Sequence, residues 1–185
     1  MSHSTNDALG PLSQAGNALA DARAAAARGD KAAALEQLEQ LALDAPSPMV
    51  CEACERELAA LLDGVTTPEQ LASYHRAQGY LALAQDEAEL AAAHLSFSLR
   101  FDASGQALQT LNRIRERKGR NFPITTYDDA MRLLVSTHVK LGPVERIVNS
   151  LKEQLAQARQ QDDAAQAQRV SKKLYDLTLD SSYLL

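Results

Sequence analysis

The sequence predicts an all-α protein made of stacked antiparallel helical hairpins. Its 185 residues include 33 alanines and 28 leucines, but only 10 valines and isoleucines together and 8 aromatic residues. Alanine and leucine are strong helix formers, whereas β-branched and aromatic residues favour strands. Apolar residues also recur three and four positions apart, and Gly, Pro and Asp separate the helix-length segments that contain them. This composition all but excludes a sheet-based enzyme fold.

Two helices form the first predicted hairpin. Residues 1–12 are mostly polar and are predicted to be a flexible N-terminus. Ser13 is a suitable N-cap for a helix that extends to about Arg28, where a Gly-Asp turn ends it. The second helix carries leucines at helical spacing to about Asp44. Pro46 closes the hairpin, because proline lacks the N–H that would continue the helical hydrogen-bond ladder.

The third and fourth helices have clear boundaries in the sequence. Ser47 precedes the third helix, and an Asp-Gly pair at 63–64 ends it. Residues 67–70 (Thr-Pro-Glu-Gln) then combine an N-cap, a proline at the first helical position and a glutamine three residues after the cap. This start signal predicts a fourth helix that extends to about Ala84.

The fifth and sixth helices complete a predicted hairpin region that spans 13–119. The fifth covers about 87–101, and either Asp102 or Ser104 caps the sixth. A Lys-Gly pair ends the sixth helix at residue 119. Residues 120–125 contain a proline and form the clearest internal linker.

The remaining residues, 126–185, are predicted to form a C-terminal helical region packed on the hairpins. Thr126 and Asp129 make a capping box at the start of a seventh helix. After a Gly-Pro corner, residues 144–179 keep helical spacing. An Asp-Asp pair at 162–163 either turns this segment into a hairpin or lies within one long helix, and periodicity alone is consistent with both.

Two segments of the chain, 22–46 and 79–103, align with each other. Each has a small residue in a first helix, a Gly-Asp or Gln-Asp turn, an apolar second helix and an Asp-Ala pair near its end. The pattern resembles the tetratricopeptide repeat, a helical hairpin with small residues at its close-packed positions, over about residues 15–118. The two turns are 56 residues apart, which is not a multiple of the usual 34-residue period. At least one intervening helix is therefore expected to be irregular.

The resemblance implies a concave groove, lined by the first helix of each hairpin, that binds an extended or helical peptide. The matching positions on the fourth and first helices are Ser73, Arg76, Tyr80, Leu83, Leu19 and Arg23. Arginine and tyrosine suit such a surface because they combine apolar area with directed hydrogen bonds. The alternative is that these six positions are ordinary packing or solvent-facing positions.

A second candidate surface is a dense basic run. It consists of Arg113, Arg115, Arg117, Lys118 and Arg120. The whole chain has a formal net charge of −5, with the acidic residues concentrated in its first half. The run could contact nucleic-acid phosphates, an acidic protein or the acidic half of the chain itself, or it could be a solvated helix end.

Other reactive residue types do not form a catalytic pattern. Cys51 and Cys54 lie on an apolar stripe and are expected to be buried structural thiols rather than a redox or metal pair. His75, His94 and His138 are expected on three different helices, as packing or surface residues without catalytic partners. The sequence therefore predicts a protein that is not an enzyme and that has no catalytic residue, metal site or cofactor.

These observations lead to a functional expectation. The most favoured function is that of a non-enzymatic adaptor or chaperone that binds another protein or peptide, and small acidic repeat proteins of this kind resemble bacterial secretion chaperones. The alternative is a nucleic-acid-associated or regulatory protein that uses the basic run. The polar-flanked C-terminal helices also fit a homodimer. No apolar stretch is long enough to span a membrane and the N-terminus lacks a signal peptide, so a cytoplasmic location is expected.

Overall fold

A computed structural model describes residues 9–44 and 47–184, and it confirms the all-α prediction. Within these residues there are nine α-helices, one short 3-10 turn and no strand. The α-helices are α1 (Leu9–Ala27), α2 (Lys31–Leu43), α3 (Pro48–Leu62), α4 (Pro68–Ala84), α5 (Ala88–Ser98), α6 (Gly105–Lys118), α7 (Tyr127–Ser136), α8 (Val144–Gln160) and α9 (Ala164–Thr178). In the described part of the chain, no helix combines the length and apolarity that a membrane crossing requires.

The first helix begins earlier than the sequence predicts. It starts at Leu9 rather than after Ser13, so the predicted flexible segment 1–12 is helical from residue 9, and residues 1–8 lie outside the described residues. The closing residue of the first hairpin, Pro46, also lies outside them. A start within 9–12 is sterically allowed because the proline in this stretch, Pro11, lies in the first turn, where its missing N–H has no helical partner to lose.

Side-chain caps mark the starts of five other helices, α2, α4, α6, α7 and α9. Thr67 accepts a hydrogen bond from the backbone N–H of Gln70 at the start of α4, and Thr126 and Asp129 form the predicted capping box of α7. Ser104, rather than Asp102, caps α6. These interactions join residues three positions apart, and each satisfies a backbone donor that the first turn leaves free.

The C-terminal segment is a hairpin, not one long helix. Asp162 adopts a left-handed backbone conformation with φ of 56°, and Asp163 accepts a hydrogen bond from the backbone N–H of Gln166 as the N-cap of α9. Helices α8 and α9 then pack against each other, and Leu151, Leu155 and Leu174 on these helices are buried. A left-handed residue interrupts the helical ladder, so the chain reverses there.

Neighbouring helices pack closely around one hydrophobic core. Helix α2 packs against α1 and α4, α4 against α5, and α5 against α7, whereas α3 makes fewer contacts with its neighbours. Gly79 permits the close approach of α4 and α5, because a Cβ at this position would lie 2.9 Å from Cγ of the buried Leu95. The sequence predicted this use of a small residue.

The C-terminal region is attached to the start of α4. Arg146 of α8 donates hydrogen bonds to the carbonyl oxygens of Asp63, at 2.6 Å, and Val65, at 3.3 Å. Lys173 of α9 forms an ion pair with Glu69 of α4. These contacts join residues more than 80 positions apart in the chain.

Residues 120–125 are also attached to the rest of the fold. Phe122 and Ile124 are buried, and the guanidinium of Arg115 donates hydrogen bonds to the carbonyl oxygens of Ile124 and Thr125. The segment predicted as a linker is therefore packed against the end of α6.

Candidate functional site

Two adjoining cavities lie along one face of α4, between α2 and α6. The first cavity, of about 770 Å³, is bordered by α2 and the N-terminal half of α4, and the second, of about 470 Å³, by the C-terminal half of α4 and by α6. Leu43 and Gln106 line both cavities. We call the two together the α4 groove, because its floor follows that helix.

Four of the six groove positions predicted from the sequence lie in this groove. Ser73 and Arg76 line the first cavity, and Tyr80 and Leu83 line the second. They share one face because they follow each other at intervals of three and four residues, which is the helical period. Side chains at this spacing lie along one side of the helix.

The other two predicted positions lie elsewhere. Leu19 is half-buried against the core, and Arg23 forms an ion pair with Glu57 of α3, with 2.6 Å between Nη2 and Oε1. Neither lines the two cavities. The reason is the order of packing: α2, the second helix of the first hairpin, is the helix that packs against α4, and α1 packs against α2 and α3.

Arg76 connects three structural elements that border the groove. Its Nε donates to Oε1 of Glu39 at 2.6 Å and its Nη2 to Oε2 at 3.1 Å, while Nη1 donates to Oδ2 of Asp102 at 3.0 Å. Ser73 Oγ donates to the same Glu39 carboxylate at 2.6 Å. Burial lowers the pKa of Arg76, but the hydrogen bonds and charges of Glu39 and Asp102 outweigh it and raise the pKa above its usual value. The guanidinium therefore holds α2, α4 and the α5–α6 loop together as a charged group.

Tyr80, which lines the second cavity, carries a hydroxyl that makes no hydrogen bond among the described residues. The residue is 3% exposed, and its hydroxyl is buried without a hydrogen-bond partner in the part of the chain that the structure describes. Burial, with the charge of nearby Glu39, raises the pKa of Tyr80 to about 12, although Arg76 opposes the shift. The phenol thus remains protonated and can donate a hydrogen bond.

The two cavities differ in charge. Four acidic residues and one arginine line the first, which we call the acidic cavity; the acidic residues are Glu36, Glu39, Glu69 and Asp102. Three cations and one acidic residue, Asp86, line the second, which we call the basic cavity; the cations are Arg113, Arg117 and Lys118. All three cations are exposed and make no ion pair within residues 9–44 and 47–184. The α4 groove therefore has one negative and one positive end.

The structure divides the predicted basic run. Arg113, Arg117 and Lys118 belong to the basic cavity, and Arg120 is exposed beyond the end of α6. Arg115 is half-buried and bound to backbone carbonyl oxygens, so its side chain serves local structure. Three of the five residues thus border the same cavity as the predicted peptide-binding positions Tyr80 and Leu83.

In comparisons with protein-family models, curated proteins and solved structures, nothing matches this chain. What the chain does is therefore inferred from its own residues.

A buried histidine pair joins α4 and α5 and was missed by the sequence analysis. Nδ1 of His75 on α4 lies 2.9 Å from Nδ1 of His94 on α5, and Nε2 of His75 lies 3.1 Å from the carbonyl oxygen of Leu141. That carbonyl can only accept, so His75 carries its proton on Nε2 and its Nδ1 accepts from Nδ1–H of His94. The His75 ring is thus neutral, and the pair connects α4 and α5 to the loop before α8.

Burial has a clear electrostatic effect on the pair. Desolvation lowers the pKa of His75 to about 4, although the bond to Leu141 opposes the shift. Desolvation and the neighbouring His75 lower the pKa of His94 well below its usual value. His138, expected on a helix, lies instead in the turn after α7, with φ of 57°, and is exposed. The one signal for the pair in the sequence is that His94 lies among apolar and small residues, whereas His75 is next to Arg76.

Both cysteines are buried on α3, as predicted. Cys51 is 2% exposed and Cys54 is fully buried. Burial raises the pKa of Cys54 to about 12, with smaller contributions from Cys51 and nearby glutamates. The thiol thus remains protonated near neutral pH, whereas the thiolate is the reactive form. Among the described residues, no three His, Cys, Asp or Glu side chains are grouped closely enough to hold a metal ion.

Proposed function

We propose that this chain is a non-enzymatic adaptor or chaperone-like protein that binds a segment of another protein in the α4 groove. Its helical hairpins would then act as degenerate tetratricopeptide-like repeats. The observation that carries the proposal is the set of three exposed cations, Arg113, Arg117 and Lys118, that line one cavity of the groove and have no ion-pair partner among the described residues. Their charges are free to pair with a ligand.

The energetic cost of the unpartnered Tyr80 hydroxyl supports a bound ligand. A buried hydrogen-bonding group without a partner costs about 1–3 kcal/mol, and native proteins contain few of them. An acceptor on a bound segment would recover that cost where binding moves the atoms that cover the hydroxyl. A Tyr80→Phe substitution therefore separates binding from folding, because the Tyr80 hydroxyl has no hydrogen bond to lose among the described residues.

The dimensions of the groove fit a short protein segment. Ser73 and Leu83 are ten residues apart on α4, which corresponds to about 15 Å along the helix axis. This length holds about ten residues of a bound helix or about five residues of an extended strand. Leu43 and the exposed Leu83 supply apolar contacts along it.

Site-specific photo-crosslinking in cells tests this function. A photoreactive amino acid at Gln106, which is exposed and lines both cavities, is expected to capture a defined protein partner. The matched control is Ala60, an exposed residue of α3 that lines neither cavity. Equal labelling at the two positions, or no labelling at Gln106, would refute groove binding. A product with twice the mass of the chain would instead assign the groove to a homodimer.

Nucleic-acid binding is the second candidate, and a separate observation favours it. Arg113, Arg117, Lys118 and Arg120 are exposed and unpaired within the described residues. If they bind phosphates, affinity for a random-sequence oligonucleotide will fall steeply with salt, and an Arg113→Glu/Arg117→Glu variant will lose it. An affinity that does not change with salt or with this substitution would exclude the function.

A further inference from the structure

The charges of the α4 groove are separated along its length, and they differ in how far they are already neutralised. Glu39 and Asp102 are bound by Arg76, and Glu69 by Lys173. Glu36 is exposed and has no ion pair among the described residues. At the acidic end of the groove, one carboxylate therefore has no cation partner among the described residues. The other three carboxylates share two cations.

The basic end is less neutralised. None of Arg113, Arg117 and Lys118 has an ion-pair partner in the described residues, and one acidic residue, Asp86, lines their cavity. Arg113 and Arg117 are four residues apart on α6, so they lie on the same face. Tyr80 lines the same cavity, and its hydroxyl is buried and without a hydrogen-bond partner in the described residues. This end thus presents donors and positive charge, a combination that suits carboxylates.

We propose that the occupant of the α4 groove is a partner segment with segregated charges: acidic side chains at one end, apolar side chains in the middle and a basic side chain at the other end. This inference rests on the proposed function. The acidic end of the segment pairs with Arg113 and Arg117, its apolar middle contacts Leu43, and its basic end lies at Glu36. Either chain direction is possible, because the charges and not the peptide polarity set the orientation.

Charge separation in the groove also selects against other segments. A uniformly acidic segment places carboxylates against Glu36 and Glu39, and a uniformly basic one places cations against Arg113 and Arg117. Like charges in contact disfavour such complexes. An exposed ion pair contributes about 0.2–1 kcal/mol, so two or three correct pairs change affinity by about tenfold.

Peptide display on the full chain tests the charge pattern. Random 12-residue peptides are selected against the purified protein, and the enriched ones are expected to have acidic and basic residues at opposite ends. Each is then compared with a peptide of the same composition in which acidic and basic residues alternate. We expect the segregated form to bind about tenfold more tightly at low salt and the difference to shrink at high salt.

Charge reversal in the protein identifies the end that is responsible. In an Arg113→Glu/Arg117→Glu variant, the preference for segregated peptides should disappear, and new selections should yield peptides that are basic throughout. A Lys152→Glu/Arg159→Glu variant makes the same charge change on exposed positions of α8 outside the groove and should keep the preference. Both pairs are on the surface, so equal melting temperatures verify that the variants fold.

Two results would overturn the charge pattern. One is that segregated and alternating peptides bind equally or that the two double variants behave alike. The other is that no peptide is enriched. Neither result decides the proposed function, because crosslinking at Gln106 tests groove occupancy without any assumption about charge.

Discussion

Acidification should destabilise this protein between pH 6.5 and 4 because of the buried His75–His94 pair. The folded state keeps His75 neutral with a pKa of about 4, whereas a histidine in an unfolded chain has a pKa of about 6.5. Between these values the unfolded state binds more protons than the folded state, so stability rises with pH. The contribution of the neutral ring is fully present above about pH 6.5 and declines as pH falls to about 4.

The magnitude follows from the difference between the two pKa values. Each pH unit within the window corresponds to about 1.36 kcal/mol for one group. At pH 5 the loss for His75 is about 2 kcal/mol, and over the whole window it is about 3 kcal/mol. The pKa of His94 is lowered as well, so its loss has the same sign. A domain of this size has about 5–15 kcal/mol of stability in total, so the effect is large enough to measure.

Urea denaturation followed by circular dichroism at pH 7, 6 and 5 measures this effect. The unfolding free energy should fall by at least about 2 kcal/mol from pH 7 to pH 5. A His75→Asn/His94→Asn variant should lose most of this pH dependence, whatever its stability at pH 7. His138→Gln, at an exposed position, is the control and should keep it. A free energy that stays constant from pH 7 to 5 in the unsubstituted protein would refute the reasoning.

Three further predictions concern packing, capping and thiol reactivity. Gly79→Ala should lower the melting temperature, because its Cβ would lie 2.9 Å from Cγ of the buried Leu95 and overpacking costs about 1–3 kcal/mol. Gly16→Ala is the matched control. It should raise the melting temperature, because its Cβ would have nothing within 4 Å and alanine is a better helix former than glycine. Thr126→Ala should cost about 1 kcal/mol in urea denaturation because it removes the N-cap of α7, and an unchanged midpoint would contradict that role. Cys54 should react with a thiol reagent at pH 8 only after unfolding, and rapid labelling of the native protein would contradict its burial.

Much of the helical framework follows from the sequence because helix boundaries are local. The caps at Thr67, Ser104 and Thr126 each involve residues within one helical turn, so the residues that define a boundary are adjacent in the sequence. The sequence could not decide in the same way between a hairpin and one long helix at 162–163. Both arrangements keep the apolar residues at helical spacing, and the left-handed conformation of Asp162 leaves no mark on that spacing.

The face of α4 that forms the groove floor also follows from the sequence. Ser73, Arg76, Tyr80 and Leu83 share a face through the helical period alone, and any packing of α4 keeps them together. The helices that form the walls depend on tertiary packing. Because α2 rather than α1 packs against α4, Arg23 lies away from the groove, and because α6 lies across from α2, part of the basic run lies in it.

The sequence by itself determined the helices, their caps and which residues share each helical face, because these depend on neighbours within a few positions. Only the tertiary structure decided which faces meet. The partners of Arg76 are 37 and 26 residues away, and the carbonyl oxygen that fixes the proton of His75 is 66 residues away. Contacts across such separations depend on how whole helices pack, and the periodicity of a single helix carries no information about its neighbour.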